Sequence, residues 1–362
     1  MIRPLLAGAA ILAASLAPAT AQTETARTPV AFAPAVEALI DEVIVPAHAA
    51  FTVTADEAET ATAALCAAPS AETLAMARTA FGELVLAFSR VELYRFGPAR
   101  DENRYERLFF WPDRRSRGLH QIQGLIASED ESATSLDTLT QKSVAVQGLP
   151  ALEFALFGTD SDALTHEAGF RCRYAETVAT AIAGVAASIE DGWRTSFRET
   201  MMTAGPDNPV YRSHGEAFQD IVQAGAEELQ LLGDIKIGAV IGDEPGDGNA
   251  KSAPFWRSGL TLPSYAANVE GVRALVIEPL RTLLGDDYNL ADSILFEFAQ
   301  VDRAFGPLLI DPRPWTELAE DPDAHRRLTY ARSPMRSAQT FLGQRIPGAL
   351  GLIVGFNSMD GD

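Results

Sequence analysis

The stretch AETLAMARTAFGELVLAFSRV (residues 71–91) sets apolar residues three and four apart, and Ala-rich segments with this spacing recur along nearly the whole chain. That period puts one apolar stripe on an α-helix. Alternating β-branched runs bounded by hairpin turns are almost absent, so the expected fold class is all-α. Helices are expected over 34–50, with Pro46 as a kink, then over 52–66 and over 71–95, where Ser70 is the cap. Others follow over 119–127, 133–145, 150–157 and 163–201, with Gly184 and Gly192 as weak points in the last. After TAGPDNP (203–209) a helix is expected over 209–232, with Asn208 as cap and Pro209 in its first turn. The remaining ones span 263–284, 289–304, 322–331 and 334–346. Residues 96–118 read as a structured loop, and the Gly- and Asp-rich GDEPGDGNAKSAP (242–254) as a surface loop. The expected organisation is two comparable helical halves, 31–202 and 203–362.

The chain opens MIRPLLAGAAILAASLAPATAQ. Arg3, an apolar run from Leu5 to Leu16 and Ala19-Thr20-Ala21 read as the three parts of a secretory signal over residues 1–21, with an uncleaved membrane anchor as the alternative. Residues 22–30 read as a flexible leader, and no later run is expected to span a membrane. A periplasmic or secreted protein is therefore expected. The formal net charge of −20 works against nucleic-acid and anionic-lipid partners. Cys66 and Cys172, an even pair in an oxidising setting, point to one disulfide, with two buried free thiols as the alternative.

The chemistry centres on QGLPALEFALFG (147–158), whose sole charge is Glu153. A helix apolar on every face offers no wet stripe, and a buried carboxylate needs a cation, a metal or several hydrogen bonds. The alternative is a solvated Glu153 near the positive end of the helix dipole. Three segments offer partners. VELYRFGP (91–98) carries Glu92 and Arg95. FFWPDRRSRG (109–118) carries Asp113 and Arg114, and FWRSG (255–259) carries Arg257 and Ser258. The five histidines, His48, His120, His166, His214 and His325, do not assemble an HExxH pair, which a zinc peptidase would need.

Through GLPALEFALFG, RFGP, FWPDRRSRG, FWRSG and the terminal GFNSMDGD (355–362), the chain resembles the imelysin-like family, also known as insulin-cleaving or iron-regulated protein A proteins. The likeness runs over about residues 31–360. It implies two similar four-helix bundles side by side, a site between them, and a link to iron uptake. The family signature G-x-H-x-x-E is represented by Gly148, Pro150 and Glu153, with proline in the histidine's place. Arg257 and Ser258 match the family's Arg-Ser segment. The expected function is binding of iron, an iron complex or an envelope iron-uptake partner. Glu153 is the expected metal ligand, and Glu92 and Asp113 are further oxygen donors. Arg95, Arg114 and Arg257 are the alternative partners, for these carboxylates or for an anionic chelate. A metal-dependent peptidase and an envelope scaffold are the other readings; Pro150 speaks against the first.

Overall fold

The computed structural model describes residues 31–285 and 289–352. The expected signal, the leader and the terminal GFNSMDGD lie outside the described residues. Every regular element among the described residues is helical. The eight principal helices are α1 (Val45–Ala67), α2 (Ala71–Val91), α3 (Leu149–Phe157), α4 (Phe170–Arg194), α5 (His214–Gln230), α6 (Thr261–Leu275), α7 (Asn289–Leu309) and α8 (Pro322–Thr340).

Helix α1 packs on both α2 and α4, and α3 is laid against α2 and α4. Helices α5, α6, α7 and α8 form a second set, and α2 packs on α6 to join the two. We propose the loop near residue 203, between these sets in sequence, as the domain boundary. Helix Phe32–Ala38 crosses it by packing on α5. The α2–α6 seam is close because Gly271 has no side chain: a Cβ there would lie 2.2 Å from the Arg90 carbonyl oxygen.

Local chemistry sets several helix starts. Ser70 and Thr73 form a reciprocal capping box on α2, and Asp321 accepts from the N–H groups of Asp323 and Ala324 on α8. Helix α5 starts later than expected, at His214, because Ser213 is its cap. Asn208 instead accepts from the N–H groups of Val210 and Tyr211, closing a turn that holds Pro209 outside the helix.

Prolines break fewer helices than their sequence positions suggest. Residues 32–67 run on without the expected gap near 51, through a π-helical stretch Leu39–Ile44 just before Pro46. Stretch Val276–Leu280 contains Pro279, and Phe341–Arg345 precedes Pro347; both are also π-helical. Proline lacks an N–H and crowds the carbonyl four residues back, and a wider turn relieves that crowding. Pro334 lies inside α8, where a break was expected; buried Leu328, Ala331, Met335 and Ala338 hold the helix together across it. The expected helix 163–201 divides at Thr195 into α4 and Ser196–Met202, while α4 itself passes unbroken through Gly184 and Gly192.

By length and apolar composition alone, Phe32–Ala67 is the one helix among the described residues suited to crossing a membrane, although none was expected after residue 21. Phe51, Ala55, Ala58 and Leu65 on it are buried in the core. His48 is buried there too, facing Tyr94 and Trp193. Its Nδ1–H donates to the Ile44 carbonyl at 2.9 Å, which leaves Nε2 without a proton in the neutral ring. Burial lowers the His48 pKa to about 4.

Cys66 at the end of α1 and Cys172 at the start of α4 are disulfide-bonded. Replacing both by alanine is expected to cost up to about 4–5 kcal/mol, read as a lowered midpoint in urea. His48 gives a signed pH dependence. The unfolded ring takes a proton near its ordinary pKa of 6.5 while the folded ring stays neutral down to about 4. Stability should therefore fall by about 3 kcal/mol as pH drops through that window. Urea titrations of His48→Gln should lack this component.

Candidate functional site

Glu153 lies on α3, a helix buried on nearly every face. The helix starts where Gly148 meets the chain after Arg104–Leu108; a Cβ at Gly148 would lie 2.2 Å from the Leu108 carbonyl oxygen. Pro150 sits in the first turn, where a missing N–H leaves no intrahelical bond unmade. At the other end Arg78 Nε donates to the Leu156 carbonyl at 2.9 Å, and Arg171 donates to the Ala155 carbonyl at 3.3 Å. These cations satisfy orphan carbonyls and suit the negative end of the dipole.

The Glu153 carboxylate is 3% exposed. Its Oε1 accepts from the Ser258 backbone N–H at 3.0 Å and from the Ser258 hydroxyl at 2.8 Å. Arg257 Nη1 stands 4.0 Å from Oε2. Burial raises the Glu153 pKa above the usual carboxylate range, against the opposing pull of the Ser258 donors and Arg257. The FWRSG loop thus supplies both partners. Phe255 anchors it in a left-handed conformation (φ 56°), stacked on Phe109 at 5.4 Å. That conformation costs a non-glycine residue on the order of 1–3 kcal/mol, which the aromatic packing offsets.

The FFWPDRRSRG loop faces it. Trp111 Nε1–H donates to the Ser252 carbonyl at 2.9 Å, tying the loops together. Asp113 accepts from the N–H groups of Arg117 and Leu119 at 2.8 and 3.1 Å, and so caps helix Arg117–Ser128. Between the loops is an inner cavity of about 100 Å³, walled by Phe110, Trp111, Asp113, Pro150, Glu153 and Trp256 among others. An outer cavity of about 560 Å³ adds Arg114, Ile235, Ala239 and Val240. Lys251, Trp256 and Arg257 line both. Arg257 lies over the Trp256 ring at 4.4 Å and Lys251 at 5.6 Å.

Of the residues expected here, the structure brings Pro150, Glu153, Asp113, Arg114, Arg257 and Ser258 together, with Gly148 at the start of the same helix. Glu92 and Arg95 are elsewhere. They belong to a buried cluster at the α2–α6 seam, so Arg95 is not the partner of Glu153. Lys236, 1% exposed, donates to Glu92 Oε2 at 2.6 Å, Asn268 Oδ1 at 2.8 Å and Glu228 Oε1 at 3.3 Å. Arg95 closes the set by pairing with Glu228. Burial works to raise Glu92, but Lys236 and Arg95 outweigh it and hold the carboxyl below its ordinary value. At Glu228 burial wins and the pKa rises. The sequence reading missed Glu228, Lys236 and Asn268; the signal it passed over is the lysine in apolar LLGDIKIG. Phe109 separates the two places. Its ring walls the inner cavity on one side and lies 6.0 Å from Lys236 Nζ on the other.

Among the described residues no three of His, Cys, Asp and Glu gather as a metal-binding group. Glu153, Glu92 and Asp113 are therefore not one set of oxygen donors.

The Imelysin family model matches residues 44–332. The chain belongs to the imelysin family. The chain is 24% identical over 208 residues to iron-regulated protein A of Synechococcus elongatus, covering 56% of this chain and 53% of that protein. It thus spans about half the length of that curated relative. An imelysin-like protein of Psychrobacter arcticum shares the fold with a TM-score of 0.72 at 21% identity, over 91% of this chain and all of that one. A candidate iron-regulated protein A precursor of Parabacteroides distasonis gives 0.73 at 14% identity, over 90% and 97%.

Lys236→Met should cost about 3–5 kcal/mol, because two buried carboxylates then face Arg95 alone. Urea denaturation at neutral pH measures this, and Arg90→Ala, on the exposed side of the same seam, should cost under about 1 kcal/mol.

Proposed function

We propose that this member of the imelysin family is an exported, envelope-located component of iron uptake that binds an iron complex in the cavity beside Glu153. The iron-related names of the Synechococcus and Parabacteroides proteins support the iron assignment. The signal-like N-terminus supports export, with the periplasm as the proposed compartment and an envelope uptake protein as the proposed partner.

One observation carries the choice of site. Two loops more than 130 residues apart in sequence wall one cavity that the buried Glu153 carboxylate borders, and one of them binds that carboxylate; aromatic and cationic side chains complete the wall. Cavities with a few polar groups on an apolar wall suit small ligands. The peptidase reading is weaker. Pro150 cannot ligate a metal, and the described residues do not assemble the three-ligand set of a catalytic zinc. Iron enters as cargo; ferric iron prefers oxygen ligands, which a chelator supplies as readily as a protein.

Equilibrium titration with ferric citrate, followed by tryptophan fluorescence, should show saturable binding. Trp256→Ala should weaken it at least ten-fold, because the wall that both cations lie on is removed. A deletion strain should also lag under iron limitation. No binding of any iron species, together with normal iron-limited growth, would favour the scaffold reading instead.

A further inference from the structure

The charges that face the two cavities are not balanced in the way a site for a bare cation would be. Both carboxylates are already engaged: Glu153 Oε1 by two Ser258 donors, and the two Asp113 oxygens by backbone N–H groups. Arg114, Lys251 and Arg257 exceed them by one charge, inside a chain of net charge −20. Among the described residues none of these three side chains donates a hydrogen bond to the protein, and Arg257 approaches a carboxylate only at 4.0 Å. Lys251 and Arg257 both rest against the Trp256 ring and border both cavities. Their donors are left for something that enters.

The volumes describe what that is. About 100 Å³ is less than the roughly 150 Å³ of an engineered cavity that accepts benzene, and fits a carboxylate on a short arm. The outer 560 Å³ falls in the range of about 300–1,000 Å³ typical of sites for whole small organic molecules. Arginine pairs with carboxylates through two parallel N–H bonds, and lysine adds a point charge.

We propose that the connected cavities bind an organic polycarboxylate, with one carboxylate in the inner cavity at Arg257 and the body across Trp256 between Lys251 and Arg114. The protein recognises the chelator, and ferric iron travels inside it without a protein carboxylate as ligand. This rests on the iron-complex reading above and gives it a sign. Glu153 becomes a like charge beside the bound anion, whose own task is to hold Ser258 and the FWRSG loop in place.

The test is calorimetric titration of the purified chain with metal-free citrate, ferric citrate and ferrous ion alone. Metal-free citrate should bind and should displace ferric citrate. Lys251→Ala and Arg257→Ala should each weaken both at least ten-fold, and rising salt should weaken them too. Glu153→Gln keeps an acceptor for Ser258 but removes the charge, so it should tighten citrate binding several-fold. Thermal unfolding by circular dichroism checks that the variants fold. Arg257→Lys, which keeps the charge, should recover part of the affinity. If ferrous ion alone binds and Glu153→Gln abolishes it, the polycarboxylate inference is overturned while the iron-binding reading stands. Ferric citrate bound without competition from citrate overturns it as well. If none of the three binds, both readings fall.

Discussion

The Lys236 cluster is the constraint on which the rest of the molecule depends. Two carboxylates and the Lys236 ammonium are taken out of water at the seam between the two helix sets and are hydrogen-bonded there, with the partly exposed Arg95 closing the set. A cluster like this contributes little net stability relative to a well-packed apolar core, but any single loss leaves a charge stranded. It therefore enforces one arrangement. Glu92 ends α2, Glu228 comes from α5, Asn268 from α6, and Lys236 from the π-helical stretch Leu231–Gly238. Sliding α2 along α6 would carry Glu92 away from the other three. The Asn268 amide adds a fixed reference by donating to the Ser89 carbonyl at 2.8 Å.

The π-helical stretch carries this constraint outward. Lys236 turns into the cluster, while Ile235 on the same stretch, and Ala239 and Val240 just after it, line the outer cavity. The Tyr265 hydroxyl donates to the Lys236 carbonyl at 2.6 Å and holds the backbone there. A widened turn presents side chains at angles that a regular helix does not, which suits an element serving two environments. The position of the cavity wall is thus tied to the buried charges without direct contact between cluster and ligand.

The all-α class was legible from the period of the apolar residues, and Glu153 was legible because a lone acid in an apolar helix needs an explanation. The pocket partners Arg257 and Ser258 lay in one of three candidate segments until the family resemblance matched them; one sequence does not show which loops converge. Lys236 carried the same signal as Glu153. Asp234, two residues before it and partly exposed, made that stretch look like an ordinary wet face. Arg95 was offered to Glu153 as a nearby cation at the end of a helix, whereas only tertiary geometry shows that Glu228 is its partner. Pro334 misled for a local reason: it does remove a hydrogen bond, but packing on both flanks outweighs a penalty of about 3 kcal/mol. Pro46, expected only as a kink, sits in a continuous helix just after a π-helical stretch.

The burial of α3 has a consequence for how the pocket is held. A helix of nine residues is too short to persist alone in water. Both of its ends are completed by distant groups: the Leu108 carbonyl packs on Gly148, and Arg78 and Arg171 take up the last carbonyls. Its order therefore depends on α2 and α4 both being in place. The carboxylate beside the cavity is held by the core as a whole, so damage to the packing far from the pocket reaches the pocket through this one short helix.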